Sequence, residues 1–493
     1  MDADYYFVMG RILAEGKGLS EPFIWNYLDD PIGIPHQAFQ YWMPFTSFLA
    51  ALGQLLFGIG FRSAQIPFIL LAASLPLLTS WIAYKLHGDP QLAWQSGLFA
   101  SLPGFFLPFL VTTDSFSIYG IAGAFIFITL VDAFKNGGFP RWFLAGLLAG
   151  ITHLTRTDGV LFFLFGIGVV IYSSGDKRIG FSGVIVGYLT AMVPWWVVSG
   201  IEGGSILPSG TSRVLWTLNY DELFSYPPEK ITFNRWLQSG LGSILIARLE
   251  ALWMNIKSLF LVNGLVFLGP LMFIGGWVLR HKLIIRLVAL YLGLLLLIMS
   301  FVFPFAGSRG GYFHSSIAVM PILWALAPLG LQRAIQFGAQ RRNWREQQAK
   351  DVFITASVVL ACLITLGIFW SRVVGEDYFN PVWLSEERVY QGATHWLERE
   401  GVDGAVVAIN NPPGFYSISR LPSVVIPDGD EEVLRQVVEA FSVDWLLLDS
   451  NYPQGLGTLY QDPSKVEWLK LKGTLGDGQG NDLHFFRIQV SQP

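Results

Sequence analysis

The sequence has little of what a soluble enzyme needs. Of its 493 residues only 14% are charged, against 52% hydrophobic, a balance found in integral membrane proteins. Cys362 is the single cysteine and sits in an apolar run, so disulfides and thiolate metal sites are excluded. Net charge is only −4 and no basic stripe is present, which argues against nucleic acid as a partner. No G-x-S-x-G, H-E-x-x-H, Walker or G-x-G-x-x-G pattern occurs, so the templates of soluble hydrolases and nucleotide enzymes do not apply. A secretory signal, with its basic stretch and short apolar core, is missing too.

What the chain does have is apolar length and aromatic residues. Aromatics make up 15%, including 18 Trp, as expected of a protein with long stretches at a membrane interface. A spanning helix needs about 20 mostly apolar residues. Segments near 63–84, 92–111, 117–134, 142–155, 159–173, 181–199, 259–279, 283–304, 316–337 and 352–370 meet or approach that length. The fold class expected is a polytopic helical membrane protein, mainly α, with about ten spans. Segment 142–155 is too short to cross alone, and "PFTSFLAALGQLLFGIG" at 44–60 reads as an interfacial or re-entrant helix.

Alternate loops carry Lys85, then Lys135 and Arg141, Lys177 and Arg178, Arg280, Lys282 and Arg286, and "QRRNWREQQAK". Basic loops stay in the cytoplasm. The other face then holds residues 1–61 as a first loop, a long loop at 200–258 between the spans of 62–370, and everything after 371. Polar chemistry is concentrated there, at the surface of an inner (plasma) membrane. Residues 371–493 alternate strand-length apolar runs ("AVVAIN", "SVVIP", "DWLLLD", "LHFFRIQV") with helix-like segments ("SEERVYQGATHWLERE", "DEEVLRQVVEAF"). That alternation predicts a small extracytoplasmic α/β domain.

Four polar clusters share the outer face. "DADYYFVMGRILAEGKG" opens the chain and leads through "WNYLDDP" to "QYWMPF". It reads as a solvated terminus, or as an amphipathic helix lying on the membrane through Tyr5, Tyr6, Val8, Met9, Ile12 and Leu13, with Asp2 and Asp4 fixed at its start. In "LVTTDSFSIYG", Asp114 is a helix N-cap or a functional acid. In "LTRTDG", Arg156 and Asp158 neutralise each other or serve a ligand, because charges at bilayer depth are costly and rare. In "SRGGYFHSS", Arg309 is an ordinary turn residue or presents its fork to a phosphate, with His314 following.

These stretches resemble the GT-C glycosyltransferases, which include protein O-mannosyltransferases, the lipid A aminoarabinose transferase and the oligosaccharyltransferase catalytic subunit. "DADYYFVMGRILAEGKGL" with the Trp/Pro text after it is similar to their first outer loop, and "QYWMPFTSFLAALGQLLFG" to the segment that follows. "LLAGITHLTRTDGVLF" is similar to the family's "G-L-x-x-L-[TS]-[KR]" helix end, and "SRGGYFHSSIAVMP" to a late outer loop. The resemblance covers roughly residues 1–370. It implies an inverting transfer of a hexosyl or pentosyl group from a polyprenyl-phosphate sugar to a lipid, glycan or protein acceptor. Asp2 takes the place of the leading acid that acts as general base. Ala3 stands where many relatives have a second acid, with Asp4 one position on, so the base is Asp2 or Asp4. Tyr5, Tyr6, Arg156, Asp158, Arg309 and His314 are the substrate-binding candidates. Asp114 matches an acid that helps hold a divalent cation, Mg or Mn. The W-W-D-Y-G motif of the oligosaccharyltransferase branch is absent from 371–493, so transfer to asparagine sequons is not implied.

The family also places a span before the acidic loop, so the reading predicts a further apolar segment encoded upstream. Two rivals differ in class. A transporter or flippase would carry mid-span charges and repeated helix sets; a non-catalytic envelope protein would bind glycans through residues 375–493 alone.

Overall fold

Helix length separates the membrane segments more strictly than composition does. The computed structural model describes residues 2–203, 209–463, 466–476 and 482–489; positions 204–208 of the expected outer loop fall outside these. Six described helices are long and apolar enough to cross a membrane: Phe61–His87, Phe116–Asn136, Lys177–Ile201, Leu283–Val302, Pro304–Arg342 and Glu346–Val374. Leu241–Asn263 and Leu268–Val278 pass the same test as a pair bent by 90°, giving at most seven. The described helices thus supply fewer spans than the ten expected. The segment at 92–111 is an 11-residue helix, Pro90–Ala100, followed by short turns, because Pro103 and Pro108 cannot continue the backbone ladder. Helices Phe139–Thr155 and Thr157–Tyr172 reach only about 25 Å at 1.5 Å per residue, short of a ~30 Å hydrocarbon layer. The segment at 259–279 is broken where Leu265 and Val266 take φ of 43° and 62°.

The chain folds into two units that cut across the three-part division drawn along the sequence. A membrane unit comprises Trp42–Val198 and Leu245–Phe379. At its centre is Pro304–Arg342, with 89% of its most apolar stretch buried, against 11% for the peripheral Glu346–Val374. The central helix packs most closely on Leu268–Val278. A Cβ on Gly330 would lie 1.8 Å from the Leu271 carbonyl oxygen, and one on Gly275 would lie 2.1 Å from that of Leu326. Only glycine permits this approach from both sides, the device by which helices associate where no hydrophobic effect drives them.

The other, sheet unit comprises Met1–Tyr41, Ser199–Ile244 and Asn380–Pro493. Its strands are β1 (Ser20–Glu21), β2 (Phe23–Ile24), β3 (His36–Gln37), β4 (Val407–Ile409), β5 (Ser423–Val425), β6 (Trp445–Leu448), β7 (Leu469–Gly476) and β8 (Asp482–Ile488). β1 and β3 pair antiparallel with Glu21 opposite His36. The six-stranded sheet has the order β2-β5-β4-β6-β8-β7, parallel from β2 to β6 and antiparallel beyond. β4 and β6 are buried at every position, as central strands covered on both faces must be. One face is covered by Glu431–Phe441, capped by Asp430 through the Val433 amide, with Leu434, Val437, Val438 and Phe441 inward at helical spacing. Ser385–Arg399 covers the other through Tyr390, Ala393 and Leu397.

The first helix, Asp2–Ala14, corrects its sequence reading. Tyr5, Tyr6, Val8, Met9 and Ile12 are at most 2% exposed, and the helix packs on Pro412–Ser419. Its apolar face is buried by protein and does not lie on a lipid surface.

Candidate functional site

In the sheet unit, Asp2 and Asp4 occupy the first turn of the Asp2–Ala14 helix, where carboxylates oppose the positive end of the macrodipole. Both are half-buried. Asp4 Oδ2 accepts a hydrogen bond from Asn411 Nδ2 at 2.9 Å. Tyr5 and Tyr6, expected to bind substrate, are each 1% exposed. The Tyr5 hydroxyl donates to Glu21 and accepts from the Phe39 amide at 3.2 Å. Its ring meets Tyr6, Phe23 and Phe39 edge-on at 5.7–6.0 Å. These are the contacts of core residues, and they fix the helix from within.

Beside Tyr5 lies a polar cavity of about 10 Å³, lined by Glu21, Trp25, Asn26, Asp29, His36, Gln40 and Tyr41, none of which the motifs singled out. His36 Nε2 is 3.5 Å from Glu21 Oε2 and 3.8 Å from Asp29 Oδ2. The spacing is that of ion pairs, but burial works against charge on all three groups. It raises Glu21 to about 8 and Asp29 to about 6, and lowers His36 to about 4. A neutral acid facing a neutral imidazole follows.

Stability then depends on pH. A raised carboxyl binds its proton in the folded state while the unfolded chain has already lost it, so stability falls as pH climbs from about 5 to 8. The slope approaches 1.4 kcal/mol per pH unit for Glu21. Its depressed pKa makes His36 act oppositely, and stability is lost through it as pH drops from about 6.5 to 4. Thermal unfolding in detergent should therefore show declining stability from pH 5.5 to 8, and Glu21→Gln should flatten that decline. An unchanged slope in the variant would remove Glu21 as its source.

In the membrane unit three expected clusters meet. Asp114 is 4% exposed, and its Oδ1 accepts from the amide and hydroxyl of Ser115 at 2.5 and 3.1 Å. The Phe116–Asn136 helix is headed by Ser115, with no side-chain cap. Asp114 precedes that cap and is not the cap itself. Its Oδ1 is 3.7 Å from His314 Nδ1, and His314 stacks on Phe116 with centroids 4.1 Å apart. Arg156 Nε donates to Asp158 Oδ1 at 2.9 Å. Asp158 Oδ2 also receives the Ser315 hydroxyl and lies 3.4 Å from that of Tyr119. The guanidinium of Arg156 is 5.9 Å from the Tyr119 ring centre. Ser315 adjoins His314, so the "TRTD" turn and the "YFHSS" helix are joined at this point. Tyr119 and Ser315 complete the network and carried no signal in the sequence. Arg309 is exposed in the widened turn Gly307–Gly311, where Gly310 has φ 155°, six residues before Ser315.

Asp114 and His314 offer one oxygen and one nitrogen ligand within reach of each other. Zinc accepts such a mixed set, whereas magnesium and manganese are held mostly by oxygen ligands.

No protein-family profile matches the chain, and no curated protein does. Among solved structures, ArnT from Cupriavidus metallidurans bound to undecaprenyl phosphate superposes with TM-score 0.59 and 12% identity, over 99% of this chain and 93% of that one. The archaeal oligosaccharyltransferase AglB from Archaeoglobus fulgidus, in complex with an inhibitory peptide and a dolichol-phosphate, gives 0.56 and 11% over 91% of this chain. The match spans 65% of that longer chain. The Archaeoglobus fulgidus oligosaccharyltransferase complex with Zn and sulfate gives 0.56 and 12%, over 98% and 69%. With six to seven span-length helices among its described residues and its sheet unit, the chain shares the fold of these solved ArnT and oligosaccharyltransferase structures.

Proposed function

We propose that the protein is an inverting membrane glycosyltransferase that moves a sugar from a polyprenyl-phosphate donor to an extracytoplasmic lipid, glycan or protein acceptor. The observation that carries this reading is the part-buried network Asp114–His314 and Arg156–Asp158–Ser315 on a fold shared with proteins captured with polyprenyl phosphates. An acceptor hydroxyl is a poor nucleophile and needs a carboxylate within hydrogen-bond reach. Of the two first-turn acids of the Asp2–Ala14 helix, Asp2 is the group for that task. The hydroxyl oxygen attacks the anomeric carbon as the carbon–oxygen bond to phosphate breaks, and its proton passes to the carboxylate. Single displacement inverts the centre. The charge that develops on the departing polyprenyl phosphate calls for fixed donors; Arg156, Arg309 and His314 supply them. Asp114 and His314 would hold a divalent cation, which when bound neutralises phosphate charge.

The test is transfer by the purified chain in lipid vesicles from a panel of labelled polyprenyl-phosphate hexoses, pentoses and aminopentoses, alongside mass spectrometry of envelope glycans from a deletion strain. Activity with no donor and unchanged glycans would sink the reading. Arg309→Lys keeps the charge but loses the planar fork. It should lower transfer roughly tenfold or more, less than the roughly 100- to 1,000-fold typical of a lost donor. Wild-type rates in this variant would place Arg309 outside phosphate binding.

A further inference from the structure

Two helices are tied at three levels by residues more than 400 positions apart in sequence. Asn411 Nδ2 donates to Asp4 Oδ2 at 2.9 Å, Arg11 Nη1 donates to the Ser417 carbonyl at 3.0 Å, and Arg420 Nη2 lies 3.5 Å from Glu15 Oε1. Partners ascend together, 4, 11 and 15 against 411, 417 and 420, so Asp2–Ala14 and Pro412–Ser419 run parallel. At 1.5 Å per residue the outer ties are about 16 Å apart on one helix and about 14 Å on the other. The Pro412–Ser419 helix is a splint laid along the helix that bears the acids.

Asn411 is the fixed end of that splint. Its Oδ1 accepts from the Gly414 amide at 3.2 Å and caps the helix. Its amide nitrogen also donates to Glu386 Oε1 at 3.0 Å, and Glu386 in turn receives the Tyr390 hydroxyl at 2.7 Å. A carboxamide has two N–H groups, so Asp4 and Glu386 use both. Only one orientation of the amide satisfies all three contacts. Gly414 is needed beside it, because a Cβ there would come within 2.5 Å of Asn411 Nδ2.

We propose that Asn411 is a positioning residue for the transfer reaction: it holds Asp4 against the splint and thereby orients Asp2 as the proton acceptor. This rests on the glycosyltransferase reading. Residues two apart on a helix differ by about 200° in azimuth. With Asp4 turned toward Pro412–Ser419, Asp2 faces away from it.

Asn411→Asp keeps the cap, since Asp caps as well as Asn, but removes both donors and sets a third carboxylate against Asp4 and Glu386. Misplacement of a catalytic group by about 1 Å costs on the order of 100-fold. The variant should lose about 10- to 100-fold in kcat with donor KM within about twofold, and amides of residues 3–10 should exchange faster with deuterium. Adding Asp4→Asn and Glu386→Gln reverses donor and acceptor in the two bonds to positions 4 and 386, because the carboxamides introduced there then donate to the carboxylate introduced at 411. Most of the kcat and the slow exchange should return. Wild-type kinetics and exchange in Asn411→Asp would overturn the proposal, as would a triple variant whose exchange recovers while its activity does not. If even the wild type transfers no sugar, the glycosyltransferase reading fails by itself. Exchange then decides the splint: unchanged in Asn411→Asp, it is refuted, and raised then restored, it stands.

Discussion

Asp2→Asn is expected to lower sugar transfer by about 100- to 10,000-fold, the usual cost of losing a general base, while donor binding stays within a few-fold of wild type. The two effects separate because the carboxylate meets the acceptor proton only as the anomeric carbon is attacked. Asparagine has nearly the same shape but cannot take up that proton. The helix that carries Asp2 packs on Pro412–Ser419 with Tyr5, Val8 and Met9 buried, so the substitution leaves its seat intact. Binding of a non-transferable polyprenyl-phosphate analogue, measured beside single-turnover transfer, separates the two quantities. Transfer at wild-type rates would show Asp2 to be only a polar first-turn residue.

A second large effect concerns stability. Asp158→Ala should destabilise the membrane unit by about 3–5 kcal/mol, the cost of leaving a buried charge without its partner. Arg156 and Asp158 side chains are 12% and 13% exposed, so water compensates little. Asp158 also takes the Ser315 hydroxyl, which keeps the Gly311 carbonyl at 2.8 Å as an acceptor when the carboxylate is lost, so the cost falls on Arg156. Arg156→Met combined with Asp158→Leu should recover most of the lost stability, because an apolar pair of similar volume often replaces a buried ion pair at no cost. Transfer should stay low in the double variant, which lacks the guanidinium. Thermal unfolding in detergent, followed by the yield of folded monodisperse protein, gives the comparison. A single variant that unfolds with the wild type would mean the pair is solvated.

Part of the fold is legible in the sequence. Runs such as "DWLLLD" and "SVVIP" form β6 and β5, because a buried parallel strand is an unbroken apolar stretch. "DEEVLRQVVEAF" forms Glu431–Phe441 through its cap and helical period. β7 escapes such a reading, though Leu469 and Leu471 alternate with Lys470 and Lys472 as an edge strand does. Composition also registers apolar content and not where Pro103 or the turn at 265–266 interrupts a helix.

Composition and local period thus determine by themselves that this is a helical membrane protein with a strand-and-helix region at its end, and that acids, arginines and a histidine gather at helix ends. Only tertiary structure decides that Phe23–Ile24 joins the sheet beside β5, that Asp158 bonds Ser315 across 157 residues, and that Asn411 holds Asp4. "INNPPG" does announce a helix cap, with Asn before Pro at the first helical positions. It says nothing of the second helix that the same carboxamide holds. Local signals come from each residue's own backbone and neighbours, whereas these pairings arise from which buried faces pack together, and packing joins residues whatever their distance along the chain.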